Sequence, residues 1–405
     1  MRILVVGAGG VGGAIATAAA RRGFFEHCTI ADIDGARAAS VAEGTTDPRF
    51  AGAAVDASDA ASVAALARDI GATVIMNAAD PRLVMPIFDA AFAADADYLD
   101  MAMSLSQRHP TEPFSRTGVM LGDEQFARAE AWADRGRLAL VGIGVEPGLS
   151  DVFARYAQDH LFSEVHEVGV RDGADLEVEG YGFAPTFSIW TTIEECLNPP
   201  LVWERDRGWY TTEPFSEPEV FDFPEGIGPV ECGNVEHEEG VLIPRWVDCE
   251  RVTFKYGLGE EFIDVLRTLN KLGLDSTDPV EVRGQRVSPR DVVASVLPNP
   301  AHLGDRMHGR TCAGTYVTGK GPDGAARAVY LFHVADNDEC MGRHGSQAVV
   351  WQTAINPVVA MELMAEGVWT GAGVLGAEAF DPVPFLDLLR DSGEPWGMDE
   401  RTPPA

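Results

Sequence analysis

Basic residues are scarce in this 405-residue chain: 31 Lys and Arg stand against 63 Asp and Glu, a formal charge of −32 at pH 7. A surface that acidic repels the phosphates of nucleic acids and anionic lipids, so neither nucleic acid nor membrane is expected as a partner. The six cysteines (Cys28, Cys196, Cys232, Cys249, Cys312 and Cys340) lie far apart without a CxxC pair. That spacing signals neither a disulfide framework nor a zinc site, and free buried thiols with no bound metal are expected. Repeats, low-complexity tracts and an apolar run of membrane-spanning length are also missing, and the opening MRILVVGAGG reads as a core strand and glycine loop instead of a secretion leader. A cytoplasmic globular protein is expected, and its length calls for two domains.

The runs RILVV, CTIAD, AAVD, TVIMN, ADYLD and RLALVG have strand character and alternate with helix-length segments. Strands separated by such crossovers imply a parallel sheet wound on both faces. The expected fold class is therefore α/β, a Rossmann doubly wound sheet over residues 1–148, with an insertion at 104–130 before the last strand. Residues 149–344 lose the alternation and read as an α+β substrate and dimerisation domain. EEFIDVLRTLNKLGL reads as an amphipathic helix, while EPFSEPEVFDFPEGIGP and PVEVRGQRVSPRD read as loops. Residues 345–390 carry a helix apolar on every side, expected to be buried against the nucleotide domain or between domains, with Pro357 bending or starting it.

Gly7, Gly9 and Gly12 spell G-x-G-x-x-G between the first strand and first helix. In that position the first glycine makes a tight turn, the second admits a pyrophosphate and the third packs helix on strand. Asp32, at the end of the second strand, is placed to accept hydrogen bonds from ribose hydroxyls and repel a 2′-phosphate, which favours NAD over NADP; Arg37 is the competing residue. Gly10, Val11, Ile33, Asp56 and Ala57 complete the expected nucleotide contacts at the first three strand ends. Asp56 either meets the adenine or caps the next helix. Asn77 and Ala78 end the fourth strand beside the expected pyrophosphate and nicotinamide ribose.

Further stretches bear a likeness to a known family: GAGGVGG at 7–13, YLDMAM at 98–103, GVEPGLSD at 144–151, FPEGIGPVE at 223–231, NVEHEEGVLIPR at 234–245, GRTCAG at 309–314 and the run from GSQAVVWQTAINP to DPVPFLDLL. In this order they resemble the saccharopine-dehydrogenase-like reductases, which include lysine 6-dehydrogenase and the carboxynorspermidine dehydrogenases. The resemblance implies NAD(P)-dependent redox chemistry at a C–N bond of an amino-acid-like or polyamine-like small molecule, by a homodimer. Asp336-Asn337-Asp338 and Thr353-Ala354-Ile355 depart from the Asp-His-Glu and Thr-Thr-Gly of the carboxynorspermidine branch. A cofactor-binding regulator without turnover is the alternative of another class.

Hydride transfer itself needs little acid or base, but the proton steps around an imine do. His237, set among Glu236, Glu238 and Glu239, is the first catalytic candidate, against the alternative of a histidine on an acidic strand edge. Glu146 is the second: it leaves the last strand of the nucleotide sheet, should face the nicotinamide and can bind a substrate ammonium. Asp100 ends the fifth strand in the same crevice, either as a catalytic group or as a turn cap. Met101, Ala102 and Val145 are expected against the cofactor, and Met103, Arg245 and Arg310 against substrate, with Arg251 a further cation. Cys312 reads as a buried thiol, His333 and Asp336 as opposite faces of one strand, and Tyr316 with Lys320 as an accidental Y-x-x-x-K. Ser150 or Asp151 should cap the helix after GVEPGLSD, with Gly144 and Gly148 allowing close approach.

Overall fold

The chain is described from a computed structural model, over residues 1–403. Six apolar runs form parallel strands: β1 (Arg2–Val6), β2 (His27–Asp32), β3 (Phe50–Ala54), β4 (Val74–Asn77), β5 (Asp97–Asp100) and β6 (Leu138–Leu140). Their order is β6-β5-β4-β1-β2-β3, and a late strand, Gly373–Leu375, adds itself beside β6. β1 is continuously apolar because both faces of the sheet are covered: Leu4 and Val6 enter one buried cluster, Ile3 and Val5 the other. The order reverses between β1 and β4, and such a switch point opens a crevice at the carboxyl ends of the strands.

GVEPGLSD carries the chain out of this sheet. Gly144 N–H donates to the Pro147 carbonyl (2.6 Å), and the Glu146–Pro147 peptide is cis. Gly148 has φ +131°, and a Cβ there would sit 2.3 Å from the Gly144 carbonyl oxygen, so only glycine closes the loop. The helix Leu149–His160 follows. Its start is held by the Asp151 carboxylate, which accepts from Gly148 N–H (2.7 Å), whereas Ser150 turns away to donate to Glu239 Oε1 (2.7 Å).

That helix packs on a mixed second sheet. Its centre is β7 (Glu164–Ala174), parallel to Arg251–Gly257 and antiparallel to Arg310–Lys320, which pairs in turn with Ala326–Asp336. Two segments expected as loops are hairpins, Glu219–Phe223 with Gly228–Asn234, and Val280–Val282 with Gln285–Val287. Proline and acid density hid them, because edge strands tolerate both. The polar C-terminal stretch likewise contains a strand, Gly397–Arg401, paired with Ala326–Asp336.

The helix Ala348–Ala365 packs between the helices Gly10–Ala20 and Pro382–Asp391. Pro357 lies inside it and does not start it; the missing N–H frees the Thr353 carbonyl, next to the cleft described below. Contrary to the sequence reading, this helix is long and apolar enough to cross a membrane, with a mean hydropathy of 1.2; 72% of it is buried within the fold.

Candidate active site

The glycine loop is shaped for a dinucleotide. A Cβ on Gly12 would lie 2.0 Å from the Gly7 carbonyl oxygen, so helix and strand approach as closely as backbone allows. A Cβ on Gly9 would meet nothing within 4 Å, leaving open space above the start of the helix Gly10–Ala20. That space at a helix N-terminus is where a pyrophosphate fits. Asp32 accepts from Ala8 N–H (2.9 Å) and Asp34 N–H (2.9 Å), which fixes its carboxylate at the end of β2 with Arg37 3.8 Å away. Ile33 projects beside it, 75% exposed. Asp56 does not cap the next helix; Asp59 does, while Asp56 accepts from the N–H and hydroxyl of Ser58. Those bonds hold the exposed Asp56 carboxyl below its ordinary range. Asn77 is committed internally to Tyr98 and Ala79, so β4 presents its backbone and Ala78 to the cleft.

The cleft, about 760 Å³, brings Val11, Ala78, Met101, Ala102 and Val145 together with Asp100, Glu146 and His237. Its chemistry concentrates around the histidine. His237 Nδ1 lies 2.5 Å from Glu239 Oε2 and 3.4 Å from Glu238 Oε2, and its ring stacks on Phe254. Burial pulls the imidazolium down, but Glu239, Glu238 and Glu195 outweigh it and hold His237 up at about 10. It is therefore a buried cation at neutral pH, raised by its acidic neighbours, and not the strand-edge histidine of the alternative reading. The His237, Glu238 and Glu239 ligand atoms lie within 4.8 Å of one another. An imidazolium bonded to Glu239 explains this grouping without an ion.

Glu146 faces this group and not solvent. Its Oε1 accepts from Gly314 N–H (3.1 Å), and its buried Oε2 has no N–H donor. Burial, then the nearby Asp172 and Glu239 carboxylates, push the Glu146 carboxyl well above its usual range. Asp172 is raised only to about 6: burial lifts it, while Glu146, His237 and Tyr256 oppose that. Glu146 and Asp172 thus share one proton, because two buried carboxylates in contact cannot both ionise. Glu195 is pushed up to about 8 by burial. Asp172, Glu195 and Tyr256 were missed in the sequence. Asp172 stands inside a long strand, and only the pairing of β7 with its neighbours turns it into the cleft.

Five expectations change. Asp100 lies at the cleft floor but is fully buried, accepting from Gly142 N–H (2.7 Å) and Gln125 Nε2 (2.7 Å), so that it ties β5 to its neighbours as in the turn-cap alternative. Met103 is buried in the nucleotide domain, its N–H donating to Glu238 Oε1. Arg245 stacks on Phe126, 3.9 Å from the ring centroid, outside the cleft lining. Arg310 pairs with Asp336 and with the Glu225 carbonyl, also outside it. Arg251 pairs with Glu217 (2.6 Å) and is likewise absent from the lining. Cys312 is buried against Tyr330, His333 bonds Gln352 while Asp336 caps a helix, and Tyr316 and Lys320 share a strand, as read.

A dinucleotide cradle opening onto a proton-rich cleft between two sheets defines a two-domain NAD(P)-dependent oxidoreductase. Residues 3–140 match the family described as saccharopine dehydrogenase NADP binding domain, and residues 144–394 match saccharopine dehydrogenase C-terminal domain. The chain is 31% identical over 396 residues to carboxyaminopropylagmatine dehydrogenase of Synechocystis sp., covering 98% of this chain and 96% of that protein. It is 27% identical over 413 residues to carboxynorspermidine synthase of Vibrio cholerae, covering 100% and 98%. Among solved structures, saccharopine dehydrogenase (L-Glu forming) of Saccharomyces cerevisiae superposes with a TM-score of 0.70 at 13% identity, over 99% of this chain and all of that one. The chain belongs to the saccharopine dehydrogenase family. It is an NAD(P)-dependent dehydrogenase acting on a CH–NH type substrate.

Proposed function

We propose that the protein makes or breaks the secondary amine of a carboxylated polyamine, with NAD as its preferred cofactor. One observation carries this reading: among the described residues the cleft is lined by acids, from Glu146, Asp172 and Glu195 inside to Glu177, Glu260 and Glu261 at the rim, and by no Lys or Arg. Such walls favour a substrate with several ammonium or guanidinium groups and disfavour one with two amino-acid ends, whose carboxylates need cationic partners. The names of the two relatives, a carboxyaminopropylagmatine and a carboxynorspermidine enzyme, agree with it. The departures at Asp336–Asp338 and Thr353–Ile355 fall outside that acidic lining, apart from Thr353.

In the reducing direction an aldehyde, an ammonium, NADH and one proton give a secondary ammonium, NAD and water. Bound nicotinamide supplies the hydride at the imine carbon. The chain's residues manage everything else. The Glu146–Asp172 pair, carrying one negative charge, holds the amine nitrogen, and His237 with Glu239 keeps a proton beside the oxygen that leaves as water. The dry walls around Phe254 and Tyr256 strengthen both contacts. The fixed Asp32 carboxylate supports NAD over NADP, since an acid at the end of this strand repels a 2′-phosphate. The reading includes a cytoplasmic homodimer, which light scattering in solution would check.

The test is a substrate panel followed at the nicotinamide absorbance: saccharopine, lysine, carboxynorspermidine and carboxyaminopropylagmatine. Turnover of a carboxylated polyamine, lowered roughly ten- to hundredfold in kcat/KM by Asp172→Asn, which removes the pair's charge, with the cofactor KM unchanged, is the expected result. Turnover of saccharopine or lysine alone would overturn it.

A further inference from the structure

A second chamber of about 730 Å³ adjoins the cleft, with Pro81 and Val84 lining both. Its walls come from the insertion after β5, the helix Ile189–Leu197 and the segment around Asp278. Unlike the cleft, it carries guanidinium groups: Arg82, Arg108 and Arg290. Arg82 and Arg290 lie over the Trp190 ring, 4.5 and 4.8 Å from its centroid. Each arginine is anchored through Nε and one terminal nitrogen, on Asp80, on Asn198 with the Leu197 carbonyl, and on the Asp275 carbonyl with Glu194. Among the described residues that leaves one terminal nitrogen of each without a protein acceptor.

Two more donors are stranded there. The Trp190 indole N–H and the Ser104 hydroxyl are buried without a partner, in residues 8% and 3% exposed. An indole N–H can only donate, so its missing partner is an acceptor. Carboxylates stand in the same walls, Glu124 and Asp278 among them. Donors and guanidiniums beside carboxylates complement a zwitterion, not a simple anion or cation.

We propose that this chamber binds an α-amino-acid head group, its carboxylate accepting from Trp190, Ser104 and the free arginine nitrogens, its ammonium facing Glu124 and Asp278. The inference rests on the carboxylated-polyamine reading, which requires a carboxylate that the cleft has no Lys or Arg to hold, its one imidazolium being paired with Glu239. The head group can belong to the substrate itself or to a free amino acid.

The experiment uses the full chain with NADH bound and its tryptophans labelled with nitrogen-15, the Trp190 indole resonance being assigned with Trp190→Phe. L-2,4-diaminobutyrate and 1,3-diaminopropane, which differ by the carboxylate, are the probes. The Trp190 resonance should move with diaminobutyrate and not with diaminopropane, and Ser104→Ala and Arg82→Gln should each weaken that binding roughly tenfold. An unmoved resonance, or equal movement with both probes, overturns the proposal. Diaminobutyrate competing with the carboxylated polyamine would identify the head group as the substrate's own; a rate change without competition would identify a free amino acid. A moved resonance in a protein that turns over no carboxylated polyamine keeps the chamber and removes the reading of the cleft. Turnover with an unmoved resonance does the reverse.

Discussion

The His237 imidazole lies flat on the Phe254 ring, 3.9 Å between centroids with the planes 4° apart. Phe254 thereby fixes the ring plane in which Nδ1 meets Glu239. A buried imidazolium held in one orientation by an aromatic face and a carboxylate is the arrangement a proton donor needs.

Removing that donor should slow chemistry without loosening the cofactor. His237→Gln is expected to lower kcat by roughly 10²–10⁴-fold, with the KM for the nicotinamide cofactor unchanged. Glu239→Gln should act through the histidine. The carboxylate raises His237 to about 10, so its loss moves the high-pH limb of the kcat profile toward lower pH. The stability that the raised imidazolium contributes is fully present below pH 6.5 and lost as pH rises through about 10, and the same variant should remove it. An unmoved limb would show that His237 does not set the profile.

The glycine loop separates folding from cofactor binding. Gly9→Val places its side chain in open space within the protein, so the melting temperature should hold while NADH binding, read by fluorescence titration, is lost. Gly12→Ala drives its methyl into the Gly7 carbonyl and should lower both.

Asp32→Ala removes the carboxylate fixed by Ala8 and Asp34 and leaves Arg37 without its acidic neighbour. The ratio of kcat/KM for NAD over NADP should fall by about tenfold or more, measured with one amine substrate. An unchanged ratio would remove Asp32 from cofactor choice.

Glu378 and Asp151 are fully buried neighbours, and among the described residues neither Glu378 oxygen nor Asp151 Oδ1 has an N–H or O–H donor. Burial raises Glu378 from 4.5 to about 7. Folded protein therefore binds more protons than unfolded, and this group's contribution to stability is full below pH 4.5 and lost as pH rises through 7. Glu378→Gln should stabilise the fold above pH 7 by on the order of 1–3 kcal/mol and have little effect near pH 4.5. Thermal melts across that range would decide it, and equal effects at both ends would mean that the carboxyl is not raised.

The nucleotide half was legible because its signals are local. A glycine spacing, an acid at a strand end and continuous apolar runs each act within a few residues, and the parallel sheet follows from them. GVEPGLSD was readable for the same reason, down to Glu146 facing the cleft. The second sheet was less so, since strands such as Glu219–Phe223 and Gly397–Arg401 are edge strands whose polar residues and prolines mimic loops.

The sequence by itself determined the dinucleotide cradle and the collinear family motifs, and it singled out His237 and Glu146, which both line the cleft. Only the tertiary structure decided what surrounds them. Asp172 from β7, Glu195 from the helix Ile189–Leu197 and Tyr256 from Arg251–Gly257 converge on His237 from separate elements, and long-range convergence leaves no spacing to read. It likewise took Arg245 and Arg310 out of the cleft and set Arg82, Arg108 and Arg290 around a chamber beside it. Charge placement in a folded interior depends on which strands pair, and that depends on the burial of the whole chain.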